Sequence, residues 1–189
     1  MITAANMLFL PTMADATLES ATFERCYADH RASVYRWALR YAGGSRSFAE
    51  DLTHDVFVRL WEHLPRLKDQ DDLAPWLFRV TANVAISRIR RESAMGKLKA
   101  VFLLAGDEHD EDAGPDDQIA RREDSQAAMD LLRKLPGKER VVLCMKLLDG
   151  KSQREISEAL SMSEGYVSKL VTRGLERVKA AGWEVADAA

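Results

Sequence analysis

The sequence predicts an all-α fold built as two small helical domains joined by a flexible acidic linker. Glycine (10) and proline (5) are few among the 189 residues, which favours helices. Apolar residues recur at spacings of three, four and seven, typical of amphipathic helices, and no stretch alternates as a β-strand would. Between the two periodic regions, Gly106–Gln118 holds seven acidic residues and no Lys or Arg. A segment so charged and so poor in apolar residues is typical of a linker.

These patterns give the expected domain boundaries. A frayed N-terminal extension is expected over 1–20, and a first helical domain over 21–95. The acidic linker is expected over 96–124, a second helical domain over 125–180, and a C-terminal tail over 181–189.

The first domain begins with two amphipathic helices. The first starts near Phe23 and should end at the Gly43–Gly44 pair, because glycine readily adopts the conformation that closes a helix. The second restarts at Ser47–Glu50, which has the pattern of a capping box, and Pro65 stops it. Its apolar seam is formed by Leu52, Val56, Leu60 and Leu64, widened by Phe57 and Trp61.

The second helix also carries acidic side chains, Glu50, Asp51 and Asp55, on or near its polar side. Asp51 and Asp55 are four residues apart, and such a like-charge pair costs a few tenths of a kcal/mol, roughly 0.3, in an isolated helix. A basic protein partner would offset that cost. Surface repulsion that the fold simply tolerates is the alternative.

The third helix, Trp76–Arg91, has Pro75 at its start, where proline is tolerated. At 3.6 residues per turn, one arc of about 80° gathers an aromatic, an amide and basic side chains. The arc holds Trp76, Arg79, Asn83, Ser87 and Arg90, and Arg91 follows at the helix end. Such a face suits partly opened DNA, because aromatics stack on bases and guanidinium groups hold phosphates. A solvated face that lacks acids is the alternative. Arg88 lies on the apolar side, where the aliphatic part of its side chain can cover the core while its guanidinium reaches water.

The second domain contains a helix-turn-helix pattern. Ile156, Leu160, Met162, Val167 and Leu170 have the spacing of two short helices that cross around an apolar centre. Ser161, in the turn, is expected to need an uncommon backbone conformation. The exposed side of the second helix would enter a major groove, with Arg154 on a phosphate. That side carries Glu164, Tyr166, Ser168, Lys169, Thr172 and Arg173. Any helical hairpin with a solvated face fits the same pattern.

Charge and composition narrow the function classes. The net charge is −3, but outside Gly106–Gln118 the chain carries 27 basic and 23 acidic residues, a net charge of +4. Within 133–180 there are eleven basic and six acidic residues, and such local fields steer charged ligands. No catalytic residues, cofactor or metal ligands are expected, because the two cysteines and four histidines form no nucleophile or metal spacing. No signal sequence or membrane insertion is expected either, which predicts a cytoplasmic protein.

Together the two domains resemble a bacterial sigma factor of the sigma-70 family in its short extracytoplasmic-function (ECF) form. The segment "SFAEDLTHDVFVRLWEHL" resembles regions 2.1–2.2, and "LAPWLFRVTANVAISRIRR" resembles regions 2.3–2.4. The segment "LPGKERVVLCMKLLDGKSQREISEALSMSEGYVSKLVTRGLERV" resembles region 4. The likeness covers Phe23–Ser93 and Gln126–Ala180.

The resemblance implies a set of partners. Glu50, Asp51 and Asp55 would dock on the β′ clamp helices of core RNA polymerase, and the β subunit would complete the contact. The Trp76–Arg91 helix and the preceding loop, Arg66–Asp72, would melt and read the minus-ten element of promoter DNA. The linker would run through the polymerase in place of region 3. An anti-sigma factor or other regulator is typical of the family.

The recognition helix, Gly165–Arg177, would read the minus-thirty-five element, but here the sequence departs from the family pattern. It reads "GYVSKLVTRG" where the family often has "GTVRSRLxRA", so fewer arginines face the groove. The alternative function is a stand-alone helix-turn-helix transcriptional regulator. Such a protein needs neither the acidic second helix nor the Trp76 arc.

Overall fold

A computed structural model describes residues 13–64, 73–102 and 119–183, and every element within these ranges is helical. The first lobe consists of α1 (Met13–Tyr41), α2 (Arg46–His63) and α3 (Leu73–Phe102). The second lobe consists of α4 (Ile119–Lys134), α5 (Gly137–Leu143) with a π-helical continuation over Cys144–Leu148, α6 (Gln153–Leu160) and α7 (Glu164–Ala180). The predicted all-α, two-lobed architecture is confirmed. The predicted domain boundaries stay predictions, although α1 begins before residue 20 and α3 and α4 extend into 96–124.

The turn between α1 and α2 is made by Gly43 and Gly44, whose φ angles are +64° and +87°. The N–H of Gly43 donates to the carbonyl of Arg40 (3.1 Å), and the N–H of Gly44 donates to the carbonyl of Leu39 (2.9 Å). These bonds satisfy carbonyls at the end of α1. The predicted glycine C-cap is therefore confirmed.

The start of α2 differs from the prediction. Ser45, not Ser47, is the N-cap residue, and its side chain accepts a hydrogen bond from the N–H of Phe48 (3.4 Å). The helix begins at Arg46, so Glu50 lies too far along it to reach back to the cap. The capping box predicted at Ser47–Glu50 is therefore wrong. Ser45 and Ser47 both have the local sequence of an N-cap residue, and the structure uses Ser45.

The core of the first lobe uses most of the predicted α2 seam. Leu52, Val56, Phe57 and Leu60 are buried, and Leu64 is half-buried. Trp61 is the exception, with 46% of its surface exposed. Its ring packs edge-on against Phe23, with 5.2 Å between the ring centroids. Trp61 therefore lies at the rim of the core and not inside it.

The second lobe contains the predicted helix-turn-helix, formed by α6 and α7. Ile156, Leu160, Val167 and Leu170 are buried, and Met162 packs against them. Ser161 adopts a left-handed conformation with φ +52°, which confirms the unusual backbone expected there. A capping box at Ser152 and Glu155 starts α6. Sequence reasoning missed it, although the pattern Ser-x-x-Glu is present.

Ser161→Gly is expected to raise the free energy of unfolding by about 1 kcal/mol, since glycine adopts the left-handed conformation without the Cβ clash. Urea unfolding followed by circular dichroism measures the change. Ser163→Gly is the matched control, because it removes the N-cap side chain of α7 and should lower stability slightly. An unchanged or lower stability of Ser161→Gly would contradict the role assigned to the turn.

The two lobes pack against each other through α1 and α3 on one side and α5 and α6 on the other. One continuous cluster of buried apolar side chains includes residues of both lobes, such as Leu77 and Ile89 with Val142 and Ile156. A Cβ on Gly137 of α5 would lie only 3.0 Å from a methyl group of Ile89 on α3. The prediction of two domains joined by a flexible linker did not include this packing between the lobes.

Candidate functional site

The predicted arc on α3 lies along one side of the helix. Arg79, Asn83, Arg90 and Arg91 are exposed. Trp76 and Ser87 are half-buried, and the Trp76 ring meets the His63 ring edge-on with 5.9 Å between centroids. The helix therefore presents an aromatic edge, an amide and guanidinium groups on a common face. The loop Arg66–Asp72, implied by the resemblance, lies outside the described residues.

Asn83 already has two hydrogen-bond partners. Its amide nitrogen donates to the carbonyl of Arg79 (3.0 Å) and to the carbonyl of Ala159 on α6 (3.3 Å). The second bond joins the two lobes. Within the arc, Asn83 is thus hydrogen-bonded to the helix-turn-helix while it stays exposed.

The exposed face of α7 carries all of the side chains predicted for it. Ser163 caps the helix by accepting a hydrogen bond from the N–H of Tyr166 (3.3 Å). The ammonium of Lys138 lies 5.3 Å from the centre of the Tyr166 ring, within cation–π range. The exposed residues are Glu164, Tyr166, Ser168, Lys169, Thr172 and Arg173.

Charged residues on and beside α6 are arranged in local pairs. Arg154 is exposed, and its hydrogen bond to Glu158 (2.9 Å) raises the pKa of its guanidinium. Hydrogen bonds from the N–H and hydroxyl of Ser152 and from Lys151 lower the pKa of Glu155 to about 2, with the backbone bond the largest cause. Glu155 and Glu158 line a cleft between the lobes together with Arg79 of α3. Apolar side chains such as Trp37 and Phe78 also line this cleft, so its walls are both charged and apolar.

The acidic side chains of α2 have a partner within the chain. The Arg88 guanidinium donates to Asp55 (2.7 Å) and to Asp51 (2.5 Å), and it also lies 5.5 Å from the centre of the Phe48 ring. This cation offsets the repulsion between the carboxylates. Arg88 thus offsets that cost within the chain, and docking of a basic protein partner on this surface stays a prediction. Glu50 is exposed, and the side chains of Asp51 and Asp55 keep 63% and 40% of their surface in solvent.

The sequence analysis expected the guanidinium of Arg88 to lie in water, and it missed the ion pairs with Asp51 and Asp55. The signal was present, because Arg88 is a basic residue on the apolar side of α3 and α2 carries an acidic i,i+4 pair. Recognising it required knowing that these two helix faces meet.

Among the described residues there is no group of three or more His, Cys, Asp or Glu that could hold a metal ion. Within the same ranges, no helix is both long and apolar enough to cross a bilayer. Cys26 and Cys144 are free and buried.

Comparisons with known proteins agree with this architecture. Residues 26–95 match Sigma-70 region 2, and residues 125–178 match Sigma-70, region 4. The ECF RNA polymerase sigma factor SigW of Bacillus subtilis is 27% identical over 158 residues, which span 79% of this chain and 83% of that protein.

Two solved structures share the fold. The sigma factor RpoE, in complex with the anti-sigma factor NepR from Bartonella quintana, aligns with a TM-score of 0.59 and 16% identity over 84% of this chain and 95% of that chain. CnrH, in complex with the cytosolic domain of CnrY, aligns with a TM-score of 0.51 and 22% identity over 88% of this chain and 92% of that chain.

A three-helix lobe that matches region 2, followed by a helix-turn-helix lobe that matches region 4, defines a two-domain sigma factor. The chain belongs to the sigma-70 family, in its extracytoplasmic-function subfamily.

Proposed function

We propose that this chain binds core RNA polymerase in the cytoplasm and directs initiation at promoters that its two lobes select. It performs no catalysis and needs no cofactor. In this proposal α3 contacts the opened minus-ten element, and α7 contacts the minus-thirty-five element as duplex. The observation that carries the proposal is the presence, on separate lobes of one chain, of two helix faces suited to two forms of DNA.

The α7 face is suited to duplex DNA. Its exposed Lys169 and Arg173 have the length and charge to reach guanine edges in a major groove, and Ser168 and Thr172 can bond to bases or phosphates. Arg154 of α6 is exposed, and its guanidinium can bond to a phosphate. In this proposal the phosphate contact positions the lobe on the DNA, and the contacts to base edges read the sequence.

The α3 face is suited to unpaired DNA. The half-buried Trp76 ring offers a stacking edge, the Asn83 amide can bond to a base edge, and Arg79, Arg90 and Arg91 can hold the backbone. Ser87 lies on the same face. Duplex recognition alone would not need an aromatic side chain here.

Protein partners are proposed for the remaining surfaces. Glu50, Asp51 and Asp55 are exposed enough on α2 to dock on the β′ clamp helices, with the β subunit as a further contact. One structural neighbour, the sigma factor RpoE, is in complex with the anti-sigma factor NepR. This supports the proposal that an anti-sigma factor or similar regulator controls this chain as well.

In vitro transcription with core polymerase over genomic DNA tests the proposal, with start sites mapped from the transcripts. We expect initiation at discrete sites that share upstream sequence elements and that core polymerase alone does not use. Tight duplex binding by the isolated chain, without directed initiation, would instead favour a stand-alone helix-turn-helix regulator.

Arg173→Ala is expected to weaken recognition of the upstream element by about 1–3 kcal/mol, because a base-reading arginine is lost. Initiation rates on promoters with matched and mutated upstream elements measure the effect. Lys179→Ala removes a cation from the last turn of α7, outside the proposed recognition segment, and serves as the control. Equal initiation by wild type and Arg173→Ala would show that Arg173 reads no base.

A further inference from the structure

The helix α7 is flanked by different helices on two opposite sides. Tyr166 and Glu164 are two residues apart in α7, so their side chains leave the helix about 160° apart. Arg177 lies about three turns beyond Tyr166 and within about 20° of the same side. Its guanidinium pairs with Glu139 of α5 (3.0 Å). The helix α5 therefore borders the Tyr166 side of α7.

The start of α6 borders the opposite side. The Gln153 amide donates to the carbonyl of Glu164 (3.0 Å). Arg154 is the next residue of α6, and it is exposed. The pKa of its guanidinium is raised by the hydrogen bond to Glu158, and the charge of Glu164 raises it as well. Arg154 therefore flanks α7 on its Glu164 side.

A cation of α5 lies on the Tyr166 side. The ammonium of Lys138 is 5.3 Å from the centre of the Tyr166 ring, and both side chains are exposed. Among the described residues, no ion pair involves Lys138. The face of a tyrosine ring attracts a cation without neutralising its charge. Lys138 therefore keeps a positive charge beside the first turn of α7.

The two cations, Lys138 and Arg154, stand on either side of the face of α7 that would enter a major groove. Lys169 and Thr172 are exposed on that face, between the Tyr166 side and the Glu164 side. The major groove of B-DNA is about 12 Å wide, and a phosphate backbone borders it on each side. A helix that lies in the groove with a cation on each flank can pair with both backbones at once.

We propose that Lys138 is a phosphate-contacting residue of the minus-thirty-five interface, although it lies outside the helix-turn-helix. Its ammonium meets the backbone on the α5 side of the groove while Arg154 meets the other backbone, and the Tyr166 ring holds the ammonium in place. The inference rests on the function proposed above for the position of the DNA. Phosphate contacts fix orientation and register, so Lys138 sets how α7 lies in the groove and reads no base itself.

The test is the salt dependence of promoter binding by core polymerase assembled with each variant, on a fragment whose start site has been mapped. Each phosphate contact contributes about 0.9 to the slope of log K against log salt. Lys138→Gln should therefore reduce the slope by about 0.9 and weaken binding about fivefold at about 0.15 M salt. The same factor should be lost on a fragment with a scrambled minus-thirty-five element, because phosphates carry no sequence information. Lys138→Arg should restore the slope and the affinity.

Tyr166 and Lys179 provide the matched comparisons. Tyr166→Phe keeps the ring face, so Lys138→Gln should still cost about fivefold in that background. Tyr166→Leu removes the ring, and Lys138→Gln should then cost clearly less, because the two side chains act as a pair. Lys179→Gln removes an exposed cation from the last turn of α7 and should leave the slope unchanged.

An unchanged slope in Lys138→Gln would overturn the proposal. So would equal reductions in Lys138→Gln and Lys179→Gln, because general attraction to the charge of the lobe would then explain both. A loss confined to the matched element would contradict it too, since Lys138 would then read a base. If wild type directs no initiation, the proposed function fails. Binding of the full chain alone to a duplex of unrelated sequence then decides whether Lys138 contacts a phosphate.

Discussion

Asp51→Arg combined with Asp55→Arg is expected to abolish binding to core RNA polymerase. The reversal replaces a negative surface on α2 with a positive one, and like charges across a docking interface cost several kcal/mol, roughly 3 or more. Gel filtration of the variant with core polymerase, or a fluorescence titration, measures the loss. Circular dichroism must show that helix content persists, because the substitutions also place two cations beside Arg88.

Arg88→Met separates docking from internal pairing. If Asp51 and Asp55 serve only to hold Arg88, the double reversal and Arg88→Met should weaken polymerase binding to the same extent. If the carboxylates dock on the polymerase, Arg88→Met frees them and should keep or strengthen binding. A double reversal that binds core polymerase with wild-type affinity would contradict the docking surface.

Arg140→Met is expected to lower the free energy of unfolding by about 3 kcal/mol, because buried carbonyls lose their donors. Only 8% of Arg140 is exposed, and burial lowers the pKa of its guanidinium. The guanidinium donates to the carbonyls of Arg133, Leu135 (3.3 Å) and Tyr41 (3.5 Å). It thereby satisfies the ends of α4 and α1, where carbonyls lack helical partners. Urea unfolding curves measure the change.

Arg154→Met is the matched control for Arg140→Met. Arg154 is exposed and forms an ion pair with its helix neighbour Glu158, and such an exposed pair contributes little to stability because water and salt screen it. We expect the two variants to differ clearly in their unfolding midpoints. Similar midpoints would show that Arg140 does not hold the helix ends together.

Features set by short-range patterns were predictable from the sequence. The helix-turn-helix followed from the spacing of five apolar residues, and the unusual backbone at Ser161 followed from its place in the turn between the two helices. Gly43 and Gly44 marked a helix end for the same local reason. Local signals also have a limit: Ser45 and Ser47 both fit an N-cap, and nothing within a few residues distinguishes them.

Pairings between distant polar residues were not predictable. Asp149 meets Arg40 across 109 residues of sequence, and Arg88 meets Asp51 across 37. No periodicity links such partners, and each side chain taken alone resembles an exposed charge. The exposed faces of α3 and α7 were predictable, but the hydrogen bond from Asn83 to the carbonyl of Ala159 on α6 joins residues 76 apart and was not.

Crosslinking from both helices within one complex tests the central claim most directly. A photoreactive amino acid would replace Ser87 on α3 or Ser168 on α7, and each protein would be assembled with core polymerase on a mapped promoter. We predict that position 87 crosslinks to the melted strand at the minus-ten element, and that position 168 crosslinks to duplex at the minus-thirty-five element. Crosslinks from both positions to the same DNA segment, or an identical pattern without polymerase, would contradict the account.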